Sequence, residues 1–186
     1  MLSAKLSSKI YLIRGLTWMV SRSVLLTAYH GCFGSNMSYG VLNWGHSGHT
    51  RKIFGLQRRC IRVIAGLGSR ECCLHDFVDL GILTFPCVYI LHCLTYLKQN
   101  FPLFTAYNLQ HNYLTRNNIN IIPDFHRIAR ARRGTDYWCV RFLNVLPVAF
   151  REQNLCSFTS KLKKYFKAKA FYSLEEYLNN NFNDLL

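Results

Sequence analysis

The residues of this chain that are suited to chemistry are mainly cations, and the densest group lies between Ser38 and Gly68. This stretch, SYGVLNWGHSGHTRKIFGLQRRCIRVIAGLG, contains five Lys or Arg and no Asp or Glu. Surfaces that serve only solubility usually mix both signs of charge. A surface of one sign suits a polyanion, because each cation that neutralises a phosphate releases condensed counterions. The stretch therefore predicts a nucleic-acid-binding surface, with a solubilising helix face as the alternative.

The charge of the whole chain supports a polyanionic partner. Its 23 Lys and Arg against nine Asp and Glu give a net charge of +14, and the first acidic residue is Glu71. A second basic segment, Lys161–Lys169, contributes nucleic-acid-binding candidates at Lys163, Lys164 and Lys167. A third cluster comprises Arg127, Arg130, Arg132 and Arg133. Candidate rings for base stacking, with core packing as the alternative, are Tyr39, Trp44, Tyr113, Tyr165 and Tyr172.

Catalytic and metal-binding arrangements are poorly represented. Phosphoryl transfer needs clustered carboxylates to hold Mg²⁺, whereas Asp76 and Asp79 form only a pair one helical turn apart. A zinc module needs two well-spaced ligand pairs, which the Cys and His residues do not provide. Ser47 lies in an incomplete version of the Gly-x-Ser-x-Gly elbow of hydrolases. We expect no catalytic residue, no metal site and no cofactor in this chain, and eight reduced thiols packed mostly in apolar surroundings.

The elements that position the cations are predicted to be helices. An apolar stripe at helical spacing is formed by Ile53, Leu56, Cys60, Ile61 and Ile64. The opposite side carries Arg51, Lys52, Arg58, Arg59 and Arg62. Gly66 and Gly68 end this helix, and similar patterns elsewhere predict a mostly α, helical bundle-like fold.

An uncharged run of 18 residues, Leu80–Leu97, raises the alternative of a membrane span. Thr84 and Pro86 provide a capping residue and a first-turn proline for a helix that ends near Gln99. Polar residues interrupt the run, so a buried core helix is preferred and no membrane partner is expected. Farther along, SLEEYL predicts a terminal helix with a capping box from Ser173 to Glu176.

Several blocks, taken in order along the chain, resemble the C-terminal part of jockey-like non-LTR (LINE-type) retrotransposon polyproteins. They are KLSSKIYLIRGL, MSYGVLNWG, RKIFGLQRRCIRVIAGLGSREC, GILTFP, HNYLTRN, FLNVLP and KAFYSLEEYL. One departure is Leu143 in FLNVLP, where the family commonly has Tyr. The resemblance implies a helical thumb-like region at 1–100. The weak periodicity after it predicts an extended basic connector at 101–136, and the helical pattern that resumes near Tyr137 predicts a C-terminal helical segment at 137–186.

The parent family is that of RNA-directed DNA polymerases (reverse transcriptases). The resemblance implies that the catalytic palm, with its Mg²⁺, lies upstream of Met1 and that this chain is a fragment. A thumb grips the template–primer duplex, which makes RNA and DNA the expected partners, with the missing palm as a further one. Phosphate contacts are expected from Lys52, Arg58, Arg59 and Arg62, and from His111 and Arg116 in HNYLTRN.

Two alternatives remain. His111 and Arg116 can instead pin their own loop through backbone hydrogen bonds. The chain as a whole can be a structural or interaction module that only packs against the palm. The expected location is intracellular, in the nucleus or the cytoplasm, and the nucleus is expected for the parent element.

Overall fold

The structure, a computed structural model, describes residues 2–105, 120–121 and 134–182. Within these ranges the chain is helical and contains no β-strand, which confirms the predicted mostly α fold. Most of the predicted connector lies outside the described residues. The helices are α1 (Leu2–Leu16), α2 (Arg22–Ala28), α3 (Ser35–Ser38), α4 (Val41–Trp44), α5 (Thr50–Ala65), α6 (Leu74–Asp79), α7 (Phe85–Gln99), α8 (Phe101–Thr105), α9 (Thr135–Val145), α10 (Val148–Arg151), α11 (Leu155–Lys169) and α12 (Leu174–Leu178).

The chain forms two compact units. The first unit comprises Met1–Tyr89 together with Phe166–Tyr172, and the second comprises Ile90–Tyr165 together with Ser173–Leu186. Helices α7 and α11 therefore each contribute residues to both units.

The first unit is built on the packing of α1 against α5. On α1, Leu6, Ile10 and Ile13 recur at helical spacing and are buried. The predicted apolar stripe of α5 is confirmed by the burial of Ile53, Cys60, Ile61 and Ile64, while Leu56 is half-buried. Because the apolar side of α5 is covered, its cations are left on the remaining surface.

A buried glutamine fixes the position of α5. The Gln57 side chain is fully buried, and its Nε2 donates to the Tyr29 hydroxyl at 2.9 Å and to the Leu83 carbonyl at 2.8 Å. Its Oε1 accepts from the Phe85 backbone N–H at 2.7 Å. The first N–H groups of an α-helix have no partner within the helix, so Gln57 supplies one to the start of α7.

Residues 22–44 form a less regular path than the long helices α1 and α5. Between α2 and α3 the backbone forms a π-helical segment, Tyr29–Gly34, and α3 and α4 are separated by Gly40 in a left-handed conformation with φ of 60°. Gly45 belongs to the incomplete hydrolase motif, but its role is packing. A Cβ at Gly45 would overlap the Tyr89 ring and lie 2.6 Å from the Val41 carbonyl oxygen.

The second unit is centred on aromatic residues. The Phe142 and Tyr177 rings meet edge to face at 5.5 Å, and the Tyr177 hydroxyl donates to the Phe142 carbonyl at 3.1 Å. Phe150 and Phe158 pack with their ring centres 4.9 Å apart. Leu143, where the resembling family commonly has Tyr, is buried and apolar.

Polar side chains in FLNVLP and after it order the backbone of the second unit. The Asn144 side chain donates to the Ile121 carbonyl at 2.8 Å and accepts from the Ile121 N–H at 3.1 Å. The Arg151 guanidinium donates to the carbonyls of Leu146 and Asn144, both at 2.7 Å. Burial lowers the pKa of Arg151 from its usual value. These two residues therefore have structural roles.

Helix α7 carries the uncharged run from Phe85 onward, and its buried residues include Ile90, Leu94 and Leu97. Over residues 2–105, 120–121 and 134–182, none of the helices combines the length and the apolar character that a membrane crossing requires. Thr84 lies immediately before α7, at the position of the predicted cap, and its hydroxyl donates to the Phe171 carbonyl at 2.5 Å. The predicted cap of the last helix is confirmed, since Ser173 Oγ accepts from the Glu176 N–H at 3.0 Å.

Candidate nucleic-acid interface

The exposed face of α5 presents cations to solvent. Arg51, Lys52 and Arg59 are exposed, and Arg58 and Arg62 are half-buried. None of these five side chains forms an ion pair with a carboxylate in the described ranges. Because nearby acids do not neutralise them, their charge is available to an external anion.

Arg62 has a structural function as well as a charge. Its Nε donates to the Glu71 carbonyl at 2.8 Å, and its own carbonyl accepts from the Leu67 N–H at 2.9 Å. Gly66, with φ of 74°, turns the chain in the left-handed conformation that ends α5. The Arg62 side chain thus holds the following loop through its Nε.

The Arg58 side chain packs against a neighbouring ring and is only partly exposed to solvent. Its guanidinium carbon is 5.0 Å from the centre of the Phe54 ring, in a cation–π contact. Its Nε is buried and, among the residues that the structure describes, has no hydrogen-bond partner. A phosphate contact from Arg58 would therefore come from its terminal nitrogens.

Three arginines line one open pocket, which we call the arginine pocket. It has a volume of about 410 Å³, and its polar lining comes from Arg14, Arg59, Arg62 and Ser69. No carboxylate lines it. Arg14 comes from the last turn of α1, which packs along α5. Arg14 and Ser69 are not among the sequence-predicted contacts, because the pairing of α1 with α5 has no signal in the local pattern.

Guanidinium groups bind phosphate well because they are planar, permanently charged and donate paired hydrogen bonds. A pocket lined by several guanidinium groups and a hydroxyl, but by no acidic side chain, is suited to bind the oxygens of a phosphate group. The arrangement supports binding of an anion and offers no group for general acid or base chemistry.

The basic candidates on α11 are exposed as predicted, at Lys163, Lys164 and Lys167. Lys163 lies close enough to His92 that its charge, after burial, contributes to lowering the pKa of His92. Lys163 and Lys164 belong to the second unit and Lys167 to the first. The candidates His111 and Arg116, and the cluster Arg127, Arg130, Arg132 and Arg133, lie outside the described residues.

The candidate stacking rings differ in their exposure and in whether they already contact other side chains. Trp44 stacks on Phe85 with ring centres 5.3 Å apart, and Tyr172 packs edge to face on Phe54 at 5.0 Å. The Tyr165 hydroxyl accepts from Asn180 Nδ2 at 2.9 Å. Tyr39 is different, because 85% of its surface is exposed. Tyr113 lies outside the described residues.

The thiols of the described residues are reduced, and most of them are buried. All eight cysteines are free thiols; Cys72 and Cys156 are exposed, Cys32 is half-buried and the others are buried. Burial raises the pKa of Cys60 to about 12, which keeps this thiol protonated. In the part of the chain that the structure describes, no group of three His, Cys, Asp or Glu side chains is placed to hold a metal ion.

Comparison with known proteins gives no relative. No protein-family model matches the chain, no curated protein is similar to it, and no solved structure matches its fold. The main evidence on function is therefore the basic face of α5 and the arginine pocket beside it.

Proposed function

We propose that this chain is the thumb and post-thumb part of a jockey-like non-LTR retrotransposon reverse transcriptase, and that it binds the RNA–DNA template–primer duplex. The resemblance of the ordered sequence blocks supports the family. The arginine pocket, with Arg14, Arg59 and Arg62 around one acid-free opening, is the observation that carries the binding function.

In this proposal the phosphates of the duplex contact the outer face of α5. Arg59 and Arg14 bind one phosphate in the arginine pocket, and Arg62 directs its terminal nitrogens to the same group. Lys52 lies two turns before Arg59 on α5 and contacts a neighbouring phosphate. Contacts of this kind position a protein on a duplex without reading its sequence.

The polymerase chemistry belongs to the palm, which the family places upstream of these blocks. The chain itself is proposed to be a binding element that acts in the nucleus beside that palm. The exposed lysines of α11, Lys163, Lys164 and Lys167, are proposed as additional phosphate contacts.

The test is the affinity of the purified chain for a labelled RNA–DNA hybrid with blunt ends, measured by fluorescence anisotropy at low salt. Replacement of both Arg14 and Arg59 by Gln should weaken binding about tenfold or more, since about 1 kcal/mol is lost for each charge-assisted contact. The logarithm of the association constant should fall with the logarithm of salt concentration with a slope of about 3, for three to four neutralised phosphates.

Arg22→Gln is the matched control. Arg22 is exposed and begins α2, where a cation is not favoured by the helix dipole, so its loss should not destabilise the fold. It should also leave the affinity close to that of the wild type. Binding that is absent at low salt, or equally reduced by both changes, contradicts the proposed function.

A second candidate function, an interaction module, is supported by apolar exposure at the end of α1 and just after it. Trp18 is 93% exposed, Tyr11 and Met19 are each 80% exposed, and Leu12 is 43% exposed. Large exposed apolar groups mark protein contact sites when they lie together. If this surface is the main functional feature, the isolated chain should self-associate in sedimentation velocity, and Trp18→Lys with Met19→Lys should abolish that association.

A further inference from the structure

The first unit contains another, larger groove with a different chemical character. Its volume is about 700 Å³. Its side walls combine aromatic, amide and basic side chains, with no carboxylate among the lining residues. The residues on which the inference depends are Lys5, Asn36, Tyr39, Asn43, Trp44 and Lys52.

A hydrogen bond to the Tyr39 backbone fixes this residue, while its ring is exposed to solvent. The Trp44 Nε1 donates to the Tyr39 carbonyl at 3.1 Å, and Trp44 is itself fixed by stacking on Phe85. Gly40, immediately after Tyr39, adopts a positive φ of 60°, which turns the chain at this point. The ring is thus an exposed aromatic surface at the rim of a groove, placed by a rigid support.

The polar side chains around the groove complement a nucleotide. Asn36 uses its Nδ2 to donate to the Cys32 carbonyl at 2.7 Å, so its Oδ1 remains an acceptor. Asn43 is exposed and contributes a second amide. Lys5 and Lys52, from α1 and α5, supply positive charge beside the aromatic groups.

We infer that this groove binds an unpaired nucleotide of an RNA or DNA strand, with its base stacked on Tyr39 and its phosphate near Lys5 and Lys52. Proteins that bind single strands combine aromatic stacking surfaces with a basic track. The bases of an intact duplex are stacked on one another and do not offer their faces. The groove is therefore specific for a single-stranded end or extension, and this inference rests on the proposed function.

The experiment compares two labelled probes by fluorescence anisotropy: a blunt RNA–DNA hybrid and the same hybrid with a five-nucleotide single-stranded extension. The wild type should bind the extended hybrid about tenfold more tightly, a factor that lies within the range supplied by the stacking of one base. Tyr39→Ala should remove most of this preference and leave the affinity for the blunt hybrid unchanged.

Tyr11→Ala is the matched control, because Tyr11 is 80% exposed and lies on α1 outside the groove lining. It should keep the preference for the extension. Equal affinity of the wild type for both probes, or a preference that survives Tyr39→Ala, overturns the inference. Loss of blunt-hybrid binding in the Arg14 and Arg59 variant concerns the proposed function alone.

A third probe separates a strand from a free nucleotide. 2-Aminopurine within the extension should change its fluorescence on binding, because stacking on a tyrosine ring quenches it, and Tyr39→Ala should abolish that change. The corresponding free 2-aminopurine mononucleotide should bind far more weakly than the extended hybrid. Comparable affinity for the mononucleotide assigns the groove to a free nucleotide and overturns the assignment to a strand.

Discussion

Gln57 shows how a single polar side chain can organise a helical core. Its amide satisfies the Tyr29 hydroxyl, the Leu83 carbonyl and the Phe85 N–H, all within the first unit. Replacement of Gln57 by Leu keeps a similar volume but leaves these groups without their partner. Because each buried unsatisfied group costs about 1 to 3 kcal/mol, we expect the free energy of unfolding to fall by about 3 kcal/mol.

Urea denaturation followed by far-UV circular dichroism measures this difference. Gln99→Leu is the control, since Gln99 is an exposed residue near the end of α7 and its replacement should change stability by less than about 0.5 kcal/mol. If the two variants lose the same stability, the Gln57 network does not stabilise the fold as described.

At the same scale, the local pattern identified the residue types of the site better than their partners. The periodicity of α5 predicts which side is apolar, and the exposure of Lys52 and Arg59 agrees with that side being covered. It does not predict that Arg62 bonds to Glu71 or that Arg58 rests on Phe54. Those contacts depend on the path of the chain after the helix, which spacing within the helix does not encode.

At the scale of elements, a glycine inside α5 and a glycine directly after it have opposite effects on the helix. Gly55 lies inside the helix, where a Cβ would meet nothing within 4 Å, whereas Gly66 ends it with φ of 74°. Gly55→Ala should stabilise the protein by about 0.8 kcal/mol, because Ala has the higher helix propensity. Gly66→Ala should destabilise it by about 1 kcal/mol, because an L-residue is strained in the left-handed region.

The two substitutions add the same methyl group, so each serves as the control for the other. Thermal unfolding should give a higher Tm for Gly55→Ala and a lower Tm for Gly66→Ala than for the wild type. Shifts of the same sign would contradict the assignment of helix interior and helix end.

Elements with strong amphipathic or capping signals were predictable, and elements shaped by tertiary contacts were not. Helix α5 ends at Gly66 and α12 begins after Ser173, as the sequence predicts. Helix α1 continues through Gly15 and ends at Leu16, an extension that no local pattern predicts. Glycine in a helix is tolerated when packing on either side of it supports the helix, and α1 packs against α5.

At the scale of the whole molecule, positive charge is concentrated in the first part of the chain. The first 70 residues hold ten Lys or Arg and no acid, so any added proton increases an existing positive field. Two histidines have a pKa that is lowered in the folded protein, so they make its stability depend on pH. Burial lowers the pKa of His46, whose Nδ1 lies 3.4 Å from the Tyr89 hydroxyl. Desolvation of the ring by the surrounding protein, followed by the charge of Lys163, lowers the pKa of His92, although part of its side chain is exposed at the surface.

We therefore expect the protein to lose stability as pH falls from 7.5 to 5.5. A histidine with a lowered folded-state pKa takes up its proton at a lower pH in the fold than in the unfolded chain, where its ordinary pKa is about 6.5. The unfolded state then binds more protons, so the stabilisation present above pH 6.5 is lost as pH falls through that value towards the folded-state pKa. His46 and His92 belong to different units, so both units contribute.

Urea denaturation at several pH values above 5, where carboxylates remain ionised, measures the effect. The double variant His46→Asn, His92→Gln has neither titrating group and should show a flatter dependence of the free energy of unfolding on pH than the wild type. His75→Gln is the control, because His75 is exposed on α6 and its removal should leave the slope as in the wild type. Wild-type stability that rises as pH falls over this window, or a double variant with an unchanged slope, contradicts the expectation that the pKa of these two histidines is lower in the folded than in the unfolded state.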